Sequence, residues 1–164
     1  MFTSSGAIGA SDARLLTAVD QLGASTISGD TFITNDTTID ISGAFAVAGN
    51  DFILEAGGNI TQTAAITADG LKLVTTSSGT VTLEQANVVT TIAASVDGAF
   101  SFTDGTGGLT VGTVAGTTGI VTTDDNVTLA VGSNLLTVGA VITAGGGTVS
   151  LTSKTLAIPA AGTG

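Results

Sequence analysis

The stretch FSFTDGTGGLTVGTV, residues 100–114, alternates apolar and polar residues on both sides of a glycine-rich segment. In FSFT and LTV the apolar residues are two positions apart, which places them on one face of a β-strand and the hydroxyl side chains on the other. The central TDGTGG supplies glycines that permit the backbone angles of a tight corner. The stretch therefore predicts two short strands joined by a corner.

The segment TDGTGG, residues 103–108, lacks the residues that known ligand-binding loops require. A calcium-binding β-roll needs GGxGxDxUx in tandem, and an EF-hand loop needs further acidic residues with a final Glu. A phosphate loop needs a Lys before its helix, and a dinucleotide fingerprint needs a third glycine where Thr110 stands. We interpret the segment as a structural corner and Asp104 as only a weak candidate for a calcium ligand.

The same alternation recurs along the whole chain, in a sequence rich in Thr, Gly, Val and Ile. Thr, Val and Ile favour the half-buried surface of a sheet, and Gly supplies turns. This composition predicts an all-β protein. The predicted strands are Thr31–Thr34, Phe52–Glu55, Leu71–Thr75, Val81–Glu84, Phe100–Thr103, Leu109–Val114, Val127–Val131 and Val149–Thr152.

Two long-range matches in the sequence indicate an internal repeat. GDTFITND (29–36) matches GAFSFTDG (98–105), and FILEAGGNITQTAAITA (52–68) matches VTLAVGSNLLTVGAVITA (127–144). We interpret residues 1–164 as a single β-solenoid fragment with about two repeat units, roughly 11–80 and 81–158. A β-sandwich would instead need hairpins with short turns between equal strands. The long period and the short strands favour a parallel β-solenoid of roughly seven rungs.

The segment SDARLLTAVDQLG, from Ser11 to Gly23, is the one candidate helix. Ser11 could cap it, and its leucines fall at helical spacing. Its counterpart in the second unit is β-branched, and repeats share a conformation, so we predict strands here. A helical cap at one end of the solenoid is the alternative.

The charge of the chain argues against several classes of partner. It has 13 acidic and three basic residues, a net charge of −10, and no Cys or His. Nucleic acid and anionic membrane surfaces both require clustered Lys and Arg. No run of about 18 apolar residues exists for a membrane-spanning helix, and the first residues do not resemble a signal peptide. The sequence predicts neither nucleic-acid binding nor membrane insertion.

The residues needed for catalysis are also missing. Without His or Cys there is no triad, and Arg14, Lys72 and Lys154 are scattered among no recurrent acidic group that could assist a lyase or a hydrolase. We therefore predict no enzyme activity and no cofactor. Asp124 and Asp125 are weak candidates for a cation site, because adjacent carboxylates in a strand or turn point apart. Ice binding by a β-solenoid needs Thr-x-Thr pairs stacked at one regular period, and the Thr pairs of this chain are not in strict tandem.

The combined pattern resembles the repeats of very large bacterial adhesins of the filamentous-haemagglutinin type. The resemblance rests on residues 86–153, with LLTAVDQLGASTISGDTFITND (15–36) and GGNITQTAAITADGLKLVT (57–75) similar to neighbouring rungs. It implies a right-handed parallel β-helix, two-partner secretion and display on the bacterial cell surface or release from it. It carries no catalytic residue over to this chain.

The function expected from this resemblance is that of a structural segment in the shaft of a secreted adhesin or an extracellular matrix protein, including that of a biofilm. Its partners would be the neighbouring repeat units of a parent chain, while a host receptor or glycan is left unspecified. One alternative is a filament subunit that associates head to tail, because a solenoid exposes unpaired strands at its ends. A glycan- or receptor-binding module is a further alternative, although aromatic residues are few.

Overall fold

A computed structural model describes residues 3–159 of the chain. This part of the chain contains strands and turns but no helix, and sixteen of its strands form one sheet. In chain order the strands are β1 (Thr3–Ser4), β2 (Leu15–Thr17), β3 (Gln21–Leu22), β4 (Ser25–Ile27), β5 (Thr31–Asn35), β6 (Ile39–Ile41), β7 (Phe45–Ala56), β8 (Ile60–Gln62), β9 (Ile66–Thr75), β10 (Val81–Val96), β11 (Phe100–Asp104), β12 (Leu109–Val111), β13 (Thr113–Val114), β14 (Thr117–Thr118), β15 (Ile120–Thr122), β16 (Val127–Val138), β17 (Ile142–Thr143) and β18 (Val149–Ala157).

The sheet winds into a parallel β-solenoid of about seven turns, with three faces. The first face contains β1, β4, β12 and the parts of the long strands that pair with them. The long strands bend between faces at register shifts, such as the one between Val47 and Asp51. The second face stacks Leu15, Ile33, Leu54, Leu73, Ala94, Ile120 and Ile142. The third face stacks Ile39, Ile60, Val81, Phe100, Val127 and Val149.

The core lies inside this coil, where alternate residues of every face point inward. Phe45 and Phe52 stack with their ring centroids 4.5 Å apart, and Phe100 and Phe102 are also buried. Each such side chain contributes about 1.5–3 kcal/mol when it is fully buried. Because the same positions are apolar in successive turns, the core continues along the axis without interruption.

The corner between the second and third faces brings successive turns into direct backbone contact. Gly79 packs on Gly58, and the amide of Gly98 donates to the carbonyl of Gly79 at 2.9 Å. A Cβ atom on Gly79 would lie 2.4 Å from the carbonyl oxygen of Gly58. Glycine is therefore required at this corner by space and not by its φ angle.

A β-hairpin interrupts the second face between Val111 and Ile120. These two residues stack on Ile92 and Ala94, so residues 112–119 occupy the place of Ala93 alone. β13 and β14 pair antiparallel, and the hairpin folds over β9 and β10, where it buries Val114. The sequence predicted one strand from Leu109 to Val114, and that prediction was wrong, because β12 ends at Val111 and the hairpin begins with β13 at Thr113.

The structure confirms the all-β solenoid and its number of turns. Every predicted strand overlaps an observed one, and the segment from Ser11 to Gly23 forms β2 and β3 in place of a helix. The division into two repeat units stays a prediction. The strand ladders run across the predicted boundary at residues 80–81 without a break. Residues matched at long range lie on different faces, since Ile33 pairs with Leu54 on the second face and its match Phe102 pairs with Leu83 on the third.

The Gly79→Ala substitution tests the close packing of this corner. The added methyl group has to displace the backbone of the neighbouring turn, so we expect the free energy of unfolding to fall by about 2–4 kcal/mol. Gly132→Ala is the matched control, because its Cβ would lie 3.5 Å from the nearest atom, the carbonyl oxygen of Gly105. Urea unfolding followed by circular dichroism measures both; equal losses would contradict the packing argument.

The Ala115→Gly substitution tests the hairpin turn. Ala115 and Gly116 have φ angles of 45° and 80°, and a two-residue hairpin turn of type I′ requires positive φ at both positions. Glycine relieves a cost of about 1 kcal/mol at Ala115, so we expect a more stable protein. In β16, Ala130→Gly should instead destabilise the protein by about 0.5–1 kcal/mol. Thermal unfolding of the two variants should shift in opposite directions.

Candidate functional site: the polar corners and the buried carboxyl

Three corners of the solenoid turn an amide or carboxyl side chain inward. The Oδ1 atoms of Asn35, Asn87 and Asp104 accept the backbone amides of Val19, Ile66 and Val89 at 2.9, 2.9 and 3.0 Å. In each pair the amide belongs to an earlier segment of the chain. These side chains therefore join neighbouring turns at points where the strand ladder is interrupted.

Asn87 has further hydrogen bonds that satisfy its amide group. It exchanges two hydrogen bonds of 2.9 Å with Gln62, and its Nδ2 also donates to the carbonyl of Thr103 at 2.9 Å. Asn35 similarly donates from Nδ2 to the carbonyl of Thr37 at 3.0 Å. The amide corners are thus neutral and have partners for both their donors and their acceptors.

Asp104 occupies the same kind of corner with a carboxyl group. It is the last residue of β11, is fully buried, and its Oδ2 has no hydrogen-bond partner among the described residues. Burial raises the pKa of Asp104 to about 6, although the hydrogen bond from the Val89 amide acts in the opposite direction. The sequence predicts a structural corner here but not the burial of Asp104, which follows from the alternation Phe100, Phe102, Asp104 that carries its side chain inward.

Asp124 and Asp125 lie elsewhere, at the corner between β15 and β16. The Oδ1 of Asp124 accepts the amide of Gly146 at 2.8 Å, so this carboxylate joins two turns from the outside. The carbonyl of Asp125 accepts the hydroxyl of Thr122 at 2.6 Å. Within residues 3–159, no group of three His, Cys, Asp or Glu residues is arranged to hold a metal ion. The structure does not bring Asp104 together with this pair.

At other exposed corners, a side-chain oxygen likewise accepts a backbone amide of the following turn. Asn59 accepts the amide of Thr80 at 2.9 Å, and Asn126 accepts that of Thr148 at 2.8 Å. Asp30 accepts the amide of Asp51 at 3.0 Å. Burial raises the pKa of Asp51, and the nearby carboxylates of Asp30 and Asp69 raise it further, while the amide of Gly70 lowers it.

Two of the three cations are engaged in structural contacts. Arg14 forms an ion pair with Glu55. The Nζ of Lys72 donates to the carbonyl of Ala115 at 3.2 Å and so ties the hairpin to the second face.

The surface of the solenoid has clefts of different chemical character. One polar cleft, of about 330 Å³, lies beside the Arg14–Glu55 pair and is lined by Thr34, Asp36 and Ser77 among others. A second cleft, of about 300 Å³, is apolar and lies in the last turn, between Val138, Ile142 and Ile158. No helix in residues 3–159 is long and apolar enough to cross a membrane.

No family model matches the sequence, and no match is found among the curated proteins or the solved structures. The pairing of the strands is therefore the evidence for the fold.

The buried carboxyl predicts how the stability of the protein depends on pH. Because the folded-state pKa of Asp104 is raised from 3.8 to about 6, the folded protein binds a proton more tightly than the unfolded chain. The associated stability is fully present below about pH 4 and is lost as the pH rises through 6. This loss amounts to about 3 kcal/mol.

Asp104→Asn removes the ionisation and keeps an acceptor for the Val89 amide, as Asn35 and Asn87 do in their corners. We expect the variant to lose about 3 kcal/mol less stability than the wild type between pH 4 and pH 7. Asp36→Asn changes the charge equally at an exposed position and is the control. Urea unfolding over this pH range measures the slopes; identical slopes in both variants would refute the assignment.

Proposed function

We propose that this chain is a structural segment of a shaft in a secreted, surface-displayed bacterial adhesin or extracellular matrix protein. The observation that supports this function is the parallel strand pairing that continues from turn to turn on three faces. About seven turns spaced about 4.8 Å apart give a length of about 35 Å. Many such segments in series would hold a binding tip far from the cell.

The distribution of polar groups also supports a mechanical role. The interior amides join turn to turn, and the carboxylates of Asp30 and Asp124 do so from outside. Each joint resists the separation of neighbouring turns along the axis, which is the direction in which a shaft is pulled. No catalytic step, metal or cofactor is part of this function.

A glycan-binding function has less support, because sugar-binding surfaces usually present exposed aromatic rings. Of the phenylalanines in residues 3–159, Phe45, Phe52, Phe100 and Phe102 are buried in the core. Phe32 alone is partly accessible.

Labelling of intact cells tests the proposed function. An antibody raised against the folded chain should label the outside of unpermeabilised cells of the source organism, at a distance from the outer membrane in electron micrographs. The purified chain should show no sub-micromolar binding on a glycan array. Labelling only after permeabilisation would contradict surface display, and tight glycan binding would replace the shaft with a recognition module.

A further inference from the structure

Three Asn residues of the chain are followed two positions later by Thr, with no Pro between them, which is the acceptor pattern for N-linked glycosylation. These pairs are Asn35 with Thr37, Asn59 with Thr61, and Asn126 with Thr128. The transfer of a sugar requires an accessible amide nitrogen on the Asn, and the pattern also requires a hydroxyl on the third residue. The structure separates the three pairs by the accessibility of these two groups.

The amide nitrogen of Asn35 is closed to modification. The side chain is fully buried at its inner corner. Its Nδ2 donates to the carbonyl of Thr37 at 3.0 Å and to the hydroxyl of the same residue at 3.2 Å. Both groups of the acceptor pattern are therefore engaged in the structure of the corner.

Asn59 and Asn126 occupy equivalent exposed places at the start of the third face. Each precedes a buried residue of the same inward stack, Ile60 in one turn and Val127 in a later one. In both cases Oδ1 accepts a backbone amide of the following turn, at 2.9 and 2.8 Å. Neither Nδ2 has a hydrogen-bond partner among residues 3–159. A sugar on Nδ2 would leave the bond between turns intact, because the amide oxygen still accepts it.

The hydroxyl group distinguishes these two places. Thr61 donates its hydroxyl to Oδ1 of Asp40 in the preceding turn at 3.0 Å. The hydroxyl of Thr128 has no such partner within residues 3–159, and its side chain is exposed. Because Asn126 and Thr128 flank the inward Val127, their side chains lie on the same, outward side of the extended chain. Of the three Asn residues, Asn126 is thus the one that offers an enzyme both groups.

The charge of the surrounding segment also differs between the pairs. Two positions before Asn126 the chain has the exposed carboxylate of Asp124, whereas Gly57 and Ile33 stand two positions before the other two Asn residues. Charge complementarity fixes the register in which a partner binds. A transferase with a basic side chain beside its active site would therefore be held in register on the segment around Asn126.

We propose that Asn126 is a site of N-linked glycosylation, with a sugar activated on a phosphate group as the donor. Its Nδ2 forms a bond to C1 of the sugar while the bond between C1 and the phosphate oxygen breaks. The phosphate leaves with the electron pair, and the proton lost from Nδ2 passes to a base of the transferase. The glycan lies on the side of the solenoid, so the site does not depend on how the chain continues at either end. This goes beyond the shaft function, which requires no modification.

Mass spectrometry of the full chain purified from its source organism tests this assignment. Cleavage before Asp places Asn59 in residues 51–68 and Asn126 in residues 125–164. The second peptide should be heavier by whole sugar residues, and the first should have its unmodified mass. Asn126→Gln and Thr128→Val should lose the added mass, and Thr128→Ser should keep it. Asn59→Gln is the matched control and should be modified like the wild type.

An unmodified Asn126 in the wild type would overturn the proposal, as would added mass that persists in Thr128→Val or equal modification of Asn59. Urea unfolding of each variant shows whether it folds, and Thr128→Val keeps a β-branched residue in its strand. Incubation of the unmodified chain with the soluble or the membrane fraction of source cells distinguishes a nucleotide-activated donor from a lipid-linked one. The mass of the peptide is read independently of cell labelling, so the absence of a glycan and the absence of surface display are separate results.

Discussion

The amide of Val127 donates to the carbonyl of Thr148 in the following turn at 2.9 Å, and Phe100, Val81 and Ile60 form the same bond in the turns below. This repeated bond between turns fixes the distance between neighbouring backbones at the spacing of a parallel sheet. Because side chains must then fit that spacing, apolar residues stack on apolar residues inside. At the closest corner, the backbone of Gly79 lies directly on that of Gly58.

The same spacing explains why polar side chains are found inside the coil. At a corner the ladder is interrupted, and a buried amide without a partner costs about 1–3 kcal/mol. Asn35, Asn87 and Asp104 each supply an acceptor to such an amide. An amide side chain supplies this acceptor without carrying a charge. A carboxyl group supplies the same acceptor, but burial raises its pKa. The contribution of Asp104 to the stability of the fold is thus sensitive to pH.

The sequence predicts most of this architecture, because alternation with a period of two is a local property of each strand. The alternation also extends far enough to place Asn35 and Asp104 inside, since both continue the inward phase of their strands. It does not place Asn87, which follows a register shift after Leu83. The hairpin could not be predicted from the usual Asn-Gly or Asp-Gly turn sequence, because its turn is formed by Ala115 and Gly116.

The long-range sequence matches did not identify the structural repeat, and the geometry of the coil gives the reason. Equivalent residues of neighbouring turns are about 21 positions apart, as in the pair Asn59 and Thr80. An offset of about 70 residues is not a multiple of this turn, so it carries a strand to a different face. Such a match is still physically meaningful, because every face imposes the same alternation on its strands. The turn is therefore the unit that adds stability, and each turn is stabilised chiefly by the turns on either side of it.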